Sequence, residues 1–303
     1  MKDAQVEDCL KLLGGTSDEE KFAGLLLVTK VAQPDDPVVM KRVLEAVGMR
    51  FLQRLMTSSG SPNGASDDSS LMYQCMALNV LSSFCALEPL WPDLHTHKDF
   101  VRMAPLLVQT LRPTAGVMHP AVDNAVVCLA CMAASDAGAG ALRKHRGARA
   151  VADFLSLPGE DAPERTTRAL FVLDALLAPT LHPSATAEAL PALAFIVGDT
   201  SRKTIRLDVL PILARTMRCR DAAFSAQLLA QGTVWHGTVR GACQNLFQNK
   251  LPSKIRKHIL GLGLAMCEHF GQEWALPPAA AADAFADGTF VQLLVGESQE
   301  GSN

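Results

Sequence analysis

The chain has 303 residues, of which 49% are hydrophobic and 19% charged, enough apolar surface to exclude a mainly disordered protein. Aromatic residues make up only 5%, with a single tyrosine at Tyr73, so aliphatic side chains and alanine must fill the core, a composition that favours helices over strands. The formal net charge of −3 conceals an asymmetry: residues 140–260 carry 17 Lys and Arg against 9 Asp and Glu, while residues 261–303 carry 6 acidic side chains and no basic one.

Helix signals follow one another along the chain. The first covers about 3–13 and stops at Gly14-Gly15. The second covers 17–32; Thr16 and Ser17 are candidate caps, and Asp18, Glu19 and Glu20 occupy its first turn, where the helix dipole favours them. Phe22, Leu25, Leu26 and Thr29 fall on one face of that helix, widened by Leu27 and Val28. Asp36-Pro37 reads as a cap followed by proline at the first helical position, starting a helix toward Val47, and a short helix runs on through Met56 after Gly48. The Ser-, Gly- and Asp-rich stretch 57–70 reads as a mobile loop. Helices are expected at 71–86, then a turn region with Pro89 and Pro92, then helices at 98–112, 119–134, 138–147, 148–157, 164–178, 184–198, 201–218, 221–231, 233–248 and 252–270, with one more in the tail after 278.

This succession predicts an all-α chain, an armadillo/HEAT-like α-solenoid of stacked helix pairs, forming one repeat domain over residues 1–296 with a disordered tail at 297–303. Prolines before apolar pairs at Pro105, Pro191 and Pro211 give a faint internal echo, two of the intervals being compatible with a period of about 40 to 47 residues or half of it.

No chemistry is written into the sequence. There is no Gly-x-Ser-x-Gly elbow, no Walker loop and no dinucleotide fingerprint. Cys128 and Cys131 form a CxxC without two further ligands nearby, so they read as a buried structural pair. Asp93, His95 and His97 read as a surface segment between helices. Trp91, Trp235 and Trp274 read as plugs between adjoining helices. No catalytic residue, metal, cofactor or small-molecule substrate is expected. The eight cysteines lie mostly in apolar runs, and the N-terminus shows no secretory signal, so a reduced, cytoplasmic protein is expected.

The basic residues have more substance. Arg143, Lys144, Arg146 and Arg149 cluster in one segment; Arg202, Lys203 and Arg206 lie near a helix start, and Arg215, Arg218 and Arg220 near its end; Lys250, Lys254, Arg256 and Lys257 open the helix at 252–270. Arg202, Lys203, Arg206, Arg215, Arg218, Arg220, Lys254 and Lys257 are the candidate partner-binding set. An acidic segment of another protein is one candidate partner for them. An anionic membrane surface is the alternative, and nucleic acid is disfavoured by the scarcity of aromatics and a pI near 6.2.

The segment Asp18–Lys30, with Phe22-Ala23-x-Leu25-Leu26-Leu27-Val28-Thr29-Lys30, resembles the opening helix of the neurochondrin family, and the resemblance continues through Ala46-Val47-Gly48, Phe51 and Arg54-Leu55. It returns at Lys250-Leu251, at Gly271-Gln272-Glu273-Trp274 and at Phe290–Val295. The resemblance implies a helical, cytosolic, non-catalytic scaffold or adaptor. Animal members of that family are linked to neurite outgrowth and to restraint of neuronal signalling through protein contacts. Family members are commonly longer, so a fragment or short form is expected. Cysteines beside the initiator region that family members can lipidate are represented here by Cys9 alone. The competing reading is a peripheral membrane or vesicle adaptor that uses the basic middle section.

Overall fold

A computed structural model of the chain describes residues 2–31, 36–57, 67–114, 116–157, 162–177, 183–199, 203–218, 222–230 and 253–270. Its helices are α1 (Lys2–Leu13), α2 (Asp18–Val31), α3 (Pro37–Val47), α4 (Met49–Thr57), α5 (Asp67–Cys85), a 3-10 turn at Glu88–Leu90, α6 (Trp91–Thr96), α7 (Lys98–Arg102), α8 (Ala104–Thr110), α9 (Val122–Ala133), α10 (Asp136–Lys144), α11 (Gly147–Ser156), α12 (Pro163–Leu176), α13 (Pro183–Gly198), α14 (Lys203–Thr216), α15 (Ala222–Ala230) and α16 (Ser253–Phe270). Among the described residues there is no strand, only an isolated bridge between Thr114 and Val117. The expected helices at 233–248 and after 278 and the tail 297–303 lie outside the described residues, as do Trp235 and Trp274.

The helix ends show why the sequence folds as it does locally. At α2 the cap is Ser17: its Oγ accepts from Glu20 N at 3.1 Å, and Glu20 Oε2 reaches back to Ser17 N at 3.4 Å, a reciprocal capping box. At α3, Asp36 Oδ1 accepts from Val38 N and Val39 N at 3.0 and 3.1 Å, with Pro37 at the first position.

Several expectations are corrected. The turn region around Pro89 and Pro92 is helical, because each proline sits in the opening turn of a short helix, where its missing N–H costs nothing. The helix expected over 98–112 is two: Pro105 opens α8 and has no N–H to continue the ladder from α7, so the chain turns at Met103. Asp67–Ser70, expected in the loop, already belong to α5, and Thr57 belongs to α4. The proline echo does not mark equivalent places: Pro105 opens a helix, whereas Pro191 and Pro211 each sit inside one, exposed, between buried leucines and isoleucine or alanine.

The chain folds as two compact units, Met1–Leu193 and Ala194–Asn303. In the first, α2, α5, α9 and α12 stack side by side as one layer, and α1, α4, α8 and α11 pack against them, each on its own partner. The order α3–α4–α5, α6/α7–α8–α9 and α10–α11–α12 is thus a three-helix rung used repeatedly, each rung burying an apolar face it could not bury alone. Contacts between the layer helices fix their direction. Phe22 meets Tyr73 edge to face at 5.2 Å, His119 just ahead of α9 bonds Gln74, Asp123 pairs with Arg165, and Cys85 at the end of α5 meets Cys128 and Cys131 late in α9. Early positions meet early and late meet late, so the four helices run the same way.

The core of this unit is aliphatic, with Phe84 and Phe100 fully buried among Leu25, Leu52, Leu81, Leu129 and Val172. On α2 the buried face is narrower than the sequence suggests: Leu25 and Val28 are buried, Phe22 is half-buried and Leu26 points outward. Gly24 is also buried, against α1, where a Cβ would lie 2.8 Å from Leu13. In the second unit, α16 packs on α14 and α15 around Leu210, Leu213, Met217, Phe224, Leu262 and Met266.

Candidate functional site

The basic residues nominated from sequence divide into those used inside the fold and those presented outward. At the α10–α11 junction the three arginines have partners within the chain, while Lys144 is exposed. Arg143 Nη1 donates to the Ala175 carbonyl in the last turn of α12, where a cation suits the helix dipole; burial lowers its pKa. Arg146 adopts a left-handed conformation (φ 60°) that lets α11 begin, and it pairs with Glu188 at 3.8 Å. Arg149 pairs with Asp153 one turn on.

The candidate set itself falls in the second unit. Arg202 and Arg220 lie outside the described residues. Lys203 and Arg206 are in the first turn of α14, and Lys254 in the first turn of α16. Arg215 in the last turn of α14 and Arg218 just beyond it are exposed, as is Lys257 on α16. The Arg218 guanidinium lies over Gly261 of α16, 3.4 Å from where a Cβ would stand. Lys257 is one helical turn from Gly261 on the same face, so two exposed cations from α14 and α16 are brought to one surface. No spacing rule signals this pairing; only the missing side chain at Gly261 hints at it.

Residues that could do chemistry are tied into the scaffold. His95, expected on the surface, is half-buried, and its Nε2 donates to the Cys131 carbonyl at 2.8 Å. His97 is exposed, as expected, and Trp91 plugs a helix join as expected, its Nε1 donating to the Cys85 carbonyl at 2.8 Å. Cys128 and Cys131 are fully buried against Cys85; burial pushes the Cys85 thiol well up, reinforced by its neighbouring thiols. Ser225 and His269 are the one serine–histidine contact among the described residues, at 3.3 Å. The Met217 carbonyl takes His269 Nε2–H at 2.8 Å, which leaves Nδ1 to accept the serine hydroxyl, and the ring packs edge-on to Phe224. The arrangement binds α14, α15 and α16 together. Among the described residues no group of three His, Cys, Asp or Glu side chains could hold a metal ion, and no single helix is long and apolar enough to cross a membrane.

The layer of α2, α5, α9 and α12 presents a second surface. Of the seven large apolar side chains exposed among the described residues, four lie on these helices: Leu26, Leu71, Met72 and Phe171. The first turns of the same helices carry Asp18, Glu19 and Glu20, then Asp67 and Asp68, then Asp123, then Glu164.

The family pattern of Neurochondrin matches residues 1–298. A neurochondrin homolog of Drosophila melanogaster is 28% identical over 281 residues, 89% of this chain and 37% of that protein. Neurochondrin of Rattus norvegicus is 29% identical over 128 residues, 40% of this chain and 17% of that protein. The chain thus spans well under half the length of the curated relatives it matches. Among solved structures, an engineered protein aligns with TM-score 0.53 at 18% identity, covering 87% of this chain and 97% of its own. A designed armadillo repeat protein in complex with the peptide (KR)4 aligns with TM-score 0.53 at 14% identity, covering 85% of this chain and 98% of its own. The fold is an armadillo-like stack of helical repeats, and the chain belongs to the neurochondrin family.

Proposed function

We propose that this chain is a non-catalytic cytoplasmic scaffold that binds segments of other proteins on the exposed faces of its repeat helices. Each helical rung buries its apolar face on its neighbours, and His95, His119, His269 and the buried thiols are engaged in internal ties. What is left outward is surface. The solved armadillo neighbour that holds a peptide supports the same reading. The finer assignment is an acidic segment held by the basic set of the second unit, supported by one observation: the Arg218 guanidinium lies over α16 at Gly261, one turn from Lys257. By family, the role is regulation of signalling, and neurite outgrowth in animal members.

The test is a titration of a fluorescent Glu-rich peptide with the full chain and with Arg218→Glu/Lys257→Glu, alongside sedimentation with phosphatidylserine vesicles at low and high salt. Peptide binding weakened at least tenfold by the double variant supports the assignment. Unchanged peptide binding contradicts it. Salt-sensitive vesicle binding without peptide binding favours the membrane adaptor instead.

A further inference from the structure

The helices of the second unit are poor in carboxylates. Asp208 and Glu268 are the only acidic residues of α14, α15 and α16, against Lys203, Arg206, Arg215, Lys254, Arg256 and Lys257, with Arg218 just past the end of α14. The ion pairs between described residues all fall in the first unit, so Arg218 and Lys257 enter none of them. With no side chain at Gly261, the Arg218 guanidinium lies on α16, so part of the freedom it would lose on binding is already given up. Lys257, one turn away on that face, adds a point charge on a flexible stem. The two carboxylates flank this spot at a distance: Glu268 stands about 10 Å beyond Gly261 along α16, and Asp208 about 15 Å before Arg218 along α14.

We propose, resting on the acidic-segment reading above, that the segment held here carries a phosphorylated serine or threonine, its phosphate seated between Arg218 and Lys257. The pairing of a fork with a point charge selects the chemistry. A carboxylate brings a single charge and a pair of oxygens, which the guanidinium fork takes up alone, leaving Lys257 idle. A phosphate monoester brings a charge of about −1.5 to −2 and three acceptor oxygens, enough for guanidinium and ammonium together. The flanking carboxylates select a segment over a membrane. Glu268 and Asp208 are both exposed and lie farther from the spot than the screening length of about 8 Å at physiological salt, so they tolerate one phosphate there. Against a broad anionic bilayer the same two charges would be repelled.

The test is fluorescence anisotropy of the full chain with labelled peptides of one Ser-, Ala- and Gly-rich sequence, carrying serine, glutamate or phosphoserine at a single central position. The phosphoserine peptide should bind at least tenfold tighter than the glutamate peptide, with the serine peptide weakest. Lys257→Gln should cost the phosphoserine peptide at least fivefold and the glutamate peptide less than twofold, because only the phosphate uses the second cation. Gly261→Leu keeps both charges and improves helix propensity; by lifting the guanidinium off α16 it should weaken the phosphoserine peptide at least fivefold, with helical circular dichroism as in the parent. Equal binding of the phosphoserine and glutamate peptides overturns the phosphate assignment and leaves the acidic-segment reading standing. So does a phosphoserine peptide that fails to bind below about 1 mM while the Glu-rich peptide binds; if neither binds, both fall. A phosphoserine preference retained in full by either variant, or binding to phosphatidic acid vesicles without binding of the phosphoserine peptide, would also overturn the proposal.

Discussion

Arg50 of α4 donates from Nε to Asp99 Oδ2 at 3.2 Å, bringing an exposed cation onto a carboxylate that the start of α7 nearly buries. Arg102 closes the other side of Asp99, donating to Oδ1 at 3.1 Å. The pair belongs to a series of ties between helices that includes Arg42–Glu7, Lys41–Asp93 and Arg54–Asp18. Most of these are exposed at both ends and contribute little; Asp99 is the one whose carboxylate is buried.

Burial alone would raise the Asp99 pKa, but the hydrogen bonds and charges of Arg50 and Arg102 outweigh it and hold the carboxyl below its usual range. A carboxyl depressed by folding gives stability that is complete above the unfolded value near pH 4 and is lost as pH falls through the lower folded value. Asp99→Asn should therefore be less stable than the parent at neutral pH, with the gap closing on acidification. Urea midpoints at about pH 7, 4 and 2.5 check this. A gap that stays constant across that range contradicts it.

Gly24→Ala places a methyl group 2.8 Å from the Leu13 side chain and 3.0 Å from its backbone nitrogen. The backbone cannot yield, so the substitution should destabilise by about 1–3 kcal/mol despite alanine's better helix propensity. Thermal melts followed by circular dichroism decide the sign; a stabilised variant would show that α1 and α2 are not packed as described.

Ser17→Ala removes one half of the capping box at α2 and should cost about 1 kcal/mol. Thr16→Ala should cost less, since Ser17 and not Thr16 accepts from Glu20 N. Chemical denaturation of the two variants side by side distinguishes the caps.

Cys85, Cys128 and Cys131 should resist thiol reagents until the chain unfolds, while half-buried Cys75 should react earlier. Peptide mass spectrometry after timed alkylation, with and without denaturant, reads each site. Early labelling of Cys131 would mean that the α5–α9 contact opens readily.

The all-helical class was legible because the apolar pattern, Ser17, Asp36-Pro37 and Gly48 act locally, within a turn of the residues they shape. The outward turn of Leu26 was not, because it depends on Gly24 meeting Leu13 of another helix. Pro92 and Pro105 show the same limit: a proline starts a helix or ends one according to what the preceding backbone is already bonded to. Of the candidate binding set, Arg215 was placed correctly at a helix end, but the meeting of Arg218 with α16 required the fold.

Hydrogen–deuterium exchange of the full chain, with and without a saturating Glu-rich peptide, tests the scaffold reading most directly. The account expects new protection in segments 203–218 and 253–270, with the α10–α11 junction at 143–149 unchanged because its arginines are already engaged. Protection centred on 143–149, or an absence of protection at 203–218 and 253–270 when peptide is bound, would contradict it.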